Sequence, residues 1–160
     1  PYAVLLPADY GADPAKRWRL DVVLHGRDGA LTEAKFLAQH DKTKLAPKDL
    51  AYIQVEPYGR GNNAYRWAGE RDVFESYHRF MSAEAARLKL PPTDFSPVDR
   101  KRVVLRGFSM GGAGTWHIGL HYPWAFNVIG PGAGFTSTHG YVGKLPNPLP
   151  EHQEKCLRIY

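Results

Sequence analysis

The chain has 160 residues, 43% of them hydrophobic and 23% charged, which excludes an intrinsically disordered segment and suits a globular domain with its own core. Lysine and arginine outnumber aspartate and glutamate by 21 to 16, a net charge of +5, yet the basic residues are scattered from Lys16 to Arg158, so nucleic acid is not an expected partner. No apolar run approaches the ~20 residues that cross a bilayer, and no membrane partner is expected.

Tyr2 to Leu6 is a short apolar run closed by Pro7, followed by a turn-rich stretch with Asp9, Gly11, Asp13 and Pro14. Arg19 to His25 predicts a strand covered on both faces, because Leu20, Val22, Val23 and Leu24 form a nearly continuous apolar run. His25-Gly26-Arg27-Asp28-Gly29 breaks that strand, and Thr32 stands where it can cap a short helix through Phe36 and Leu37. Ala51 to Val55 predicts the next strand, ending at Pro57, ahead of a polar loop from Tyr58 to Trp67. From Glu70 to Leu90 the apolar residues Val73, Phe74, Tyr77, Phe80, Met81, Ala85 and Leu88 recur at helical spacing, and Pro91-Pro92 stops the helix.

Arg102 to Leu105 predicts a fourth strand, Gly114 to His121 a helix ended by Pro123, and Phe126 to Ile129 a fifth strand. This alternation predicts an α/β fold with a mostly parallel sheet, helices on both faces and right-handed crossovers.

Ten of the sixteen glycines fall between Gly107 and Gly143, where the backbone must turn sharply or be approached closely. Within that stretch, Gly107-Phe108-Ser109-Met110-Gly111 fits G-x-S-x-G. A serine hydroxyl is a poor nucleophile and must be aimed at a base and a carbonyl. A sharp strand-to-helix turn lifts it clear of the sheet, strains the backbone at the serine and leaves no room for side chains two positions either side. With five serines in the chain and a tenth of it glycine, the motif arises by chance in about one such chain in twenty. The β-branched run leading in and the small residues Gly112, Ala113 and Gly114 leading out sharpen it. Acyl transfer also needs two N–H donors for the tetrahedral oxyanion. Those expected are the N–H of Met110, after the nucleophile, and that of Arg27 in the His-Gly loop, with Asp28 as the fallback.

These residues resemble the α/β-hydrolase superfamily, and more narrowly its prolyl-oligopeptidase-like and polyhydroxybutyrate-depolymerase-like esterase branch. The resemblance rests on P-Y-A-V at Pro1–Val4, L-H-G at Leu24–Gly26, G-F-S-M-G-G at Gly107–Gly112 and H-Y-P at His121–Pro123, and covers about Pro1 to Gly134. It implies a catalytic Ser109 with elbow glycines Gly107 and Gly111 and an oxyanion hole at Met110 and Arg27; no cofactor or metal is expected. It also implies a small-molecule or polymer substrate with an ester or, less often, a peptide bond.

Superfamily members order their triad as serine, acid, histidine. No aspartate follows Ser109; the later acids are Glu151 and Glu154, and the later histidines are His117, His121, His139 and His152. Glu151 and His152 are neighbours and cannot easily place a carboxylate on the far side of the imidazole. The resemblance therefore places the acid and the histidine beyond Tyr160, and makes residues 1–160 the N-terminal part of one hydrolase domain that is truncated before its last strands. The expected partner is the remainder of that domain, on the order of another 100 residues. Three readings stay open: a serine esterase, a prolyl-oligopeptidase-like peptidase, and an inactive fragment or scaffold lacking the acid and histidine.

Other features carry less. His117 and His121 have i,i+4 metal-pair spacing without a third ligand, and read better as a helix face toward a neighbouring helix or solvent. Glu70 and Asp72 read as early-helix charges that complement the dipole. Cys156 reads as a small core or surface residue and leaves the compartment unspecified. The start at Pro1 suggests a processed piece, which would favour a secreted or periplasmic protein if a leader is removed. The Tyr58–Trp67 loop reads either as one side of a substrate cleft or as a surface loop packed on its own aromatics.

Overall fold

A computed structural model describes residues 1–41, 49–89 and 97–136. The described elements run β1 (Tyr2–Leu5), β2 (Trp18–Leu24), α1 (Glu33–Asp41), β3 (Ile53–Pro57), α2 (Ala68–Arg87), β4 (Val98–Phe108), α3 (Met110–His121) and β5 (Val128–Gly132). The strands form one sheet in the order β1-β3-β2-β4-β5. β2 runs parallel to β3 and β4, and β4 parallel to β5, while β1 is an antiparallel edge on β3. The mostly parallel sheet expected from the alternation is present.

Side-chain alternation along the strands sorts the two faces. Leu20, Val22, Leu24, Ile53, Val55, Val103 and Leu105 are buried in one core with Val73, Phe80 and Met81 of α2 and Ile118 of α3. The opposite face carries Asp21, Gln54, Glu56 and Arg106. There His40 of α1 meets Glu56 (Nε2 to Oε2, 3.1 Å) and Arg106 donates to Asp21 and Gln54 (2.7 and 2.9 Å). Helices therefore lie on both faces, as expected. Asp21 is fully buried, and Arg19 and Arg106 share its charge from two sides. A buried carboxylate is tolerated only when paired in this way.

Several boundaries shift from the sequence reading. Thr32 does cap α1, its Oγ1 accepting the Lys35 N–H at 3.1 Å. β4 begins at Val98, four residues before the expected Arg102, because Val98 pairs with Trp18 across an irregularity in the β2–β4 register. α3 begins at Met110 rather than Gly114, so the helix starts at the residue after Ser109. β5 starts at Val128 and runs on to Gly132. The Pro91-Pro92 stop, and the readings on His139, Glu151, His152, Glu154 and Cys156, lie outside the described residues.

Candidate active site

The end of β4 delivers the chain into Ser109, which sits at φ 56°, ψ −116° before the first turn of α3. A side chain in the left-handed region costs energy, and only a well-determined surround holds it there. Two bonds supply that surround. Ser109 N–H donates to Gly132 O of β5 at 2.9 Å, and Ser109 O accepts the Ala113 N–H at 3.0 Å to open α3.

The neighbouring glycines allow the turn to close. A Cβ on Gly111 would collide with the Leu24 carbonyl at the end of β2. A Cβ on Gly107 would lie 2.6 Å from Gly111 and 2.7 Å from the same Leu24 oxygen. The backbones of β2, β4 and α3 thus meet at one point, and Ser109 is left exposed above it.

Leu24 leads directly into the His25-Gly26-Arg27 loop, so the close approach of Gly111 also sets that loop beside the serine. The His25 ring ties the loop down: Nδ1 lies 2.8 Å from Gly26 O and Nε2 2.8 Å from Tyr58 O, with Tyr65 edge-on against the ring. Asn62 clasps Asp28, accepting its N–H at 3.1 Å and donating to its carbonyl at 2.7 Å. The Asp28 N–H considered as a fallback oxyanion donor is therefore occupied. The N–H groups of Arg27 and Met110 have no acceptor among the described residues.

Ser109, Met110 and Arg27 line a common cleft of about 690 Å³. Its other wall is the Tyr58–Trp67 loop, through Asn62, Arg66 and Trp67. That loop both packs on itself and faces the cleft: Tyr65 is fully buried, whereas Trp67 is 62% exposed. Arg60, Ala64, Tyr65 and Trp67 all have φ between 52° and 57°, an unusual density of left-handed non-glycine residues. Asp72 anchors this shape. It is buried, accepts the Gly59 N–H at 2.8 Å and lies 3.5 Å from Arg60. Its role as a loop anchor was not evident from its position in an early helical turn. A larger depression of about 980 Å³ along α2, lined by Phe74 and His78 among others, does not include Ser109.

The expected histidine pair divides. His121 is exposed, whereas His117 is buried and turned to α2, its Nε2 2.7 Å from Glu70 Oε2. Glu70 also accepts the Tyr122 hydroxyl at 2.6 Å. Glu70 therefore clamps α2 to α3. Burial pushes the His117 pKa down, against the upward pull of Glu70. Among the described residues, no imidazole is hydrogen-bonded to Ser109 and no cluster of three or more metal-ligating side chains is present.

No family model and no curated protein matches the chain. Solved structures do. A ferulic acid esterase superposes with a TM-score of 0.51 at 19% identity, covering 88% of this chain and 56% of that one. The substrate-bound fluorophosphonate-binding serine hydrolase FphF of Staphylococcus aureus gives 0.55 at 16% identity, over 91% and 55%. The chain has the α/β-hydrolase fold. An S-formylglutathione hydrolase, FrmB, from the same organism gives 0.54 at 15% identity, over 98% and 58%. The chain thus spans just over half the length of these α/β-hydrolase structures. Ser109 stands at the strand-to-helix turn between β4 and α3 of that fold.

Proposed function

We propose that this chain is the nucleophile-bearing part of a serine hydrolase that cleaves carboxylic esters. The observation that carries the reading is Ser109 itself: exposed, held at φ 56° between β4 and α3, and flanked in one cleft by two N–H groups that have no acceptor among the described residues. Backbone strain of this kind at a solvent-facing serine is found at reacting groups.

In this reading Ser109 Oγ attacks the ester carbonyl carbon. Its proton passes to an imidazole supplied from outside the described residues, oriented by an acid from the same source. The N–H groups of Met110 and Arg27 hold the oxyanion of the tetrahedral intermediate. The α3 N-terminus adds its partial positive charge there. The intermediate collapses by breaking the bond to the alcohol oxygen, which takes the proton from the imidazolium. Water then enters with the same imidazole as base, hydrolyses the acyl-enzyme and frees Ser109.

The test is active-site labelling of the complete native protein with a fluorophosphonate, alongside hydrolysis of short 4-nitrophenyl esters. The reading expects label on Ser109, turnover of the esters, and loss of both in Ser109→Ala. Absence of label on Ser109 in a folded protein overturns it. Faster cleavage of a prolyl peptide amide than of any ester would move the substrate to the peptidase class.

A further inference from the structure

Arg66 is 4% exposed, and its Nε and Nη1 are sealed from solvent with no hydrogen-bond acceptor. A buried guanidinium is ordinarily paired with a carboxylate, because desolvating the charge alone is costly. Among the described residues the buried carboxylates do find such partners: Asp21 has Arg19 and Arg106, and Asp72 has Arg60. Among the described residues Arg66 has the Phe135 ring 5.7 Å from its Cζ and acts by charge on His117, but no carboxylate pairs with it. Burial pulls its pKa down, and no acid among the described residues offsets it.

The position of this unpaired cation gives it a use. Arg66 lines the same cleft as Ser109, and the cleft's charged lining residues are Arg66 and Arg27, with no carboxylate among the described ones. The amides of Asn62 and Asn63 border it, and Asn63 is held by its bond to Gly59 O at 2.9 Å. The left-handed residues on either side, Tyr65 and Trp67, fix where the side chain leaves the loop. An unsatisfied, pre-positioned positive charge in a low-dielectric wall attracts an anion strongly and costs little further ordering when one binds.

We propose that Arg66 is a specificity-determining residue that binds a carboxylate carried by the ester substrate. The inference rests on the reading of Ser109 as an ester-cleaving nucleophile and narrows it to acidic esters. The carboxylate lies on either the acyl or the alcohol side, and two substrate pairs separate these sources. 4-Nitrophenyl hydrogen glutarate against its methyl ester places the charge on the acyl side. 4-Butyryloxybenzoate against its methyl ester places it on the alcohol side.

The experiment measures kcat/KM for both pairs with the complete native protein, Arg66→Met and Arg66→Lys. In at least one pair the anionic ester is expected to be favoured by about tenfold or more, the factor one charge-assisted hydrogen bond supplies. That ratio is expected to collapse in Arg66→Met, recover in part in Arg66→Lys, and fall with added salt. A ratio that Arg66→Met leaves unchanged in both pairs overturns the proposal. So does equal loss on charged and neutral esters, the result expected if a carboxylate of the chain itself pairs with Arg66. Calorimetric titration of Ser109→Ala with 4-butyryloxybenzoate and with glutarate needs no turnover, so it separates this proposal from the esterase reading. Binding of either that disappears in the Ser109→Ala, Arg66→Met double variant supports the site; no binding of either, or binding unaffected by the second substitution, overturns it.

Discussion

The Tyr65 ring lies against the bare backbone of Gly114, so that a Cβ added to the glycine would come within 2.6 Å of the ring's Cδ2 and 2.8 Å of its Cβ. Tyr65 belongs to the cleft-lining loop and Gly114 to the second turn of α3. The contact therefore locks the loop onto the helix that begins at the residue after Ser109. Gly114→Ala sets two effects against each other. Alanine favours a helix over glycine by about 1 kcal/mol. Overpacking a buried ring costs about 1–3 kcal/mol. Tyr65 is fully buried and its hydroxyl reaches the His25 carbonyl at 3.3 Å, so the ring has nowhere to go. A net destabilisation of about 1 kcal/mol is expected, read from the urea midpoint, with a larger fractional loss of esterase activity than of folded protein. A Gly114→Ala variant more stable than the parent would show that the ring yields.

Ser109 holds its left-handed backbone with a side chain attached. Glycine adopts that geometry without penalty, whereas alanine keeps the penalty. Glycine also gains more freedom in the unfolded chain, which offsets part of the relief. Ser109→Gly should therefore be more stable than Ser109→Ala by on the order of 1 kcal/mol, and neither should react with a fluorophosphonate. Paired thermal melts check this. Equal melting temperatures would mean that the strain is negligible.

His117 makes stability depend on pH. Burial lowers its folded pKa below the unfolded value of about 6.5, so the unfolded chain binds the extra proton first as the solution is acidified. Its contribution is fully present above about pH 6.5 and is lost as pH falls through the folded pKa. Stability should decline with acid in that window, and the decline should be shallower in His117→Gln. Denaturant midpoints measured from pH 7.5 to pH 5 in both proteins test it. Identical slopes would remove His117 as the cause.

Asp72 anchors the Tyr58–Trp67 loop through the Gly59 N–H, and removing its carboxylate leaves that buried donor unsatisfied. Asp72→Ala is expected to cost about 1–3 kcal/mol. It should also raise KM for esters more than it lowers kcat, because the loop walls the cleft while Ser109 is held separately through Gly132. Steady-state kinetics on the complete native protein would show the split. A pure kcat effect would place Asp72 closer to the chemistry than its contacts do.

The sequence by itself determined the parts whose physics is local. A β-branched run, a serine between glycines two residues either side and a small-residue helix start specify a turn within about ten residues of chain, and the turn at Ser109 stands there. The Thr32 cap and the helical stretch from Glu70 were legible for the same reason, since caps and periodicity act over one or two turns. The early start of β4 was hidden because Asp99, Arg100 and Lys101 carry no strand signature, and the pairing there depends on Trp18 meeting Val98. The long-range charge pairs were decided by the tertiary structure alone. Glu70 and His117 lie 47 positions apart, and Asp21 and Arg106 lie 85 apart. Both pairs meet only because the crossovers stack their elements. Nothing in the spacing of Arg66 distinguishes it from the other arginines. Its isolation arises when the folded loop closes around it, since burial is a property of the packed surround and not of the neighbouring residues in the chain.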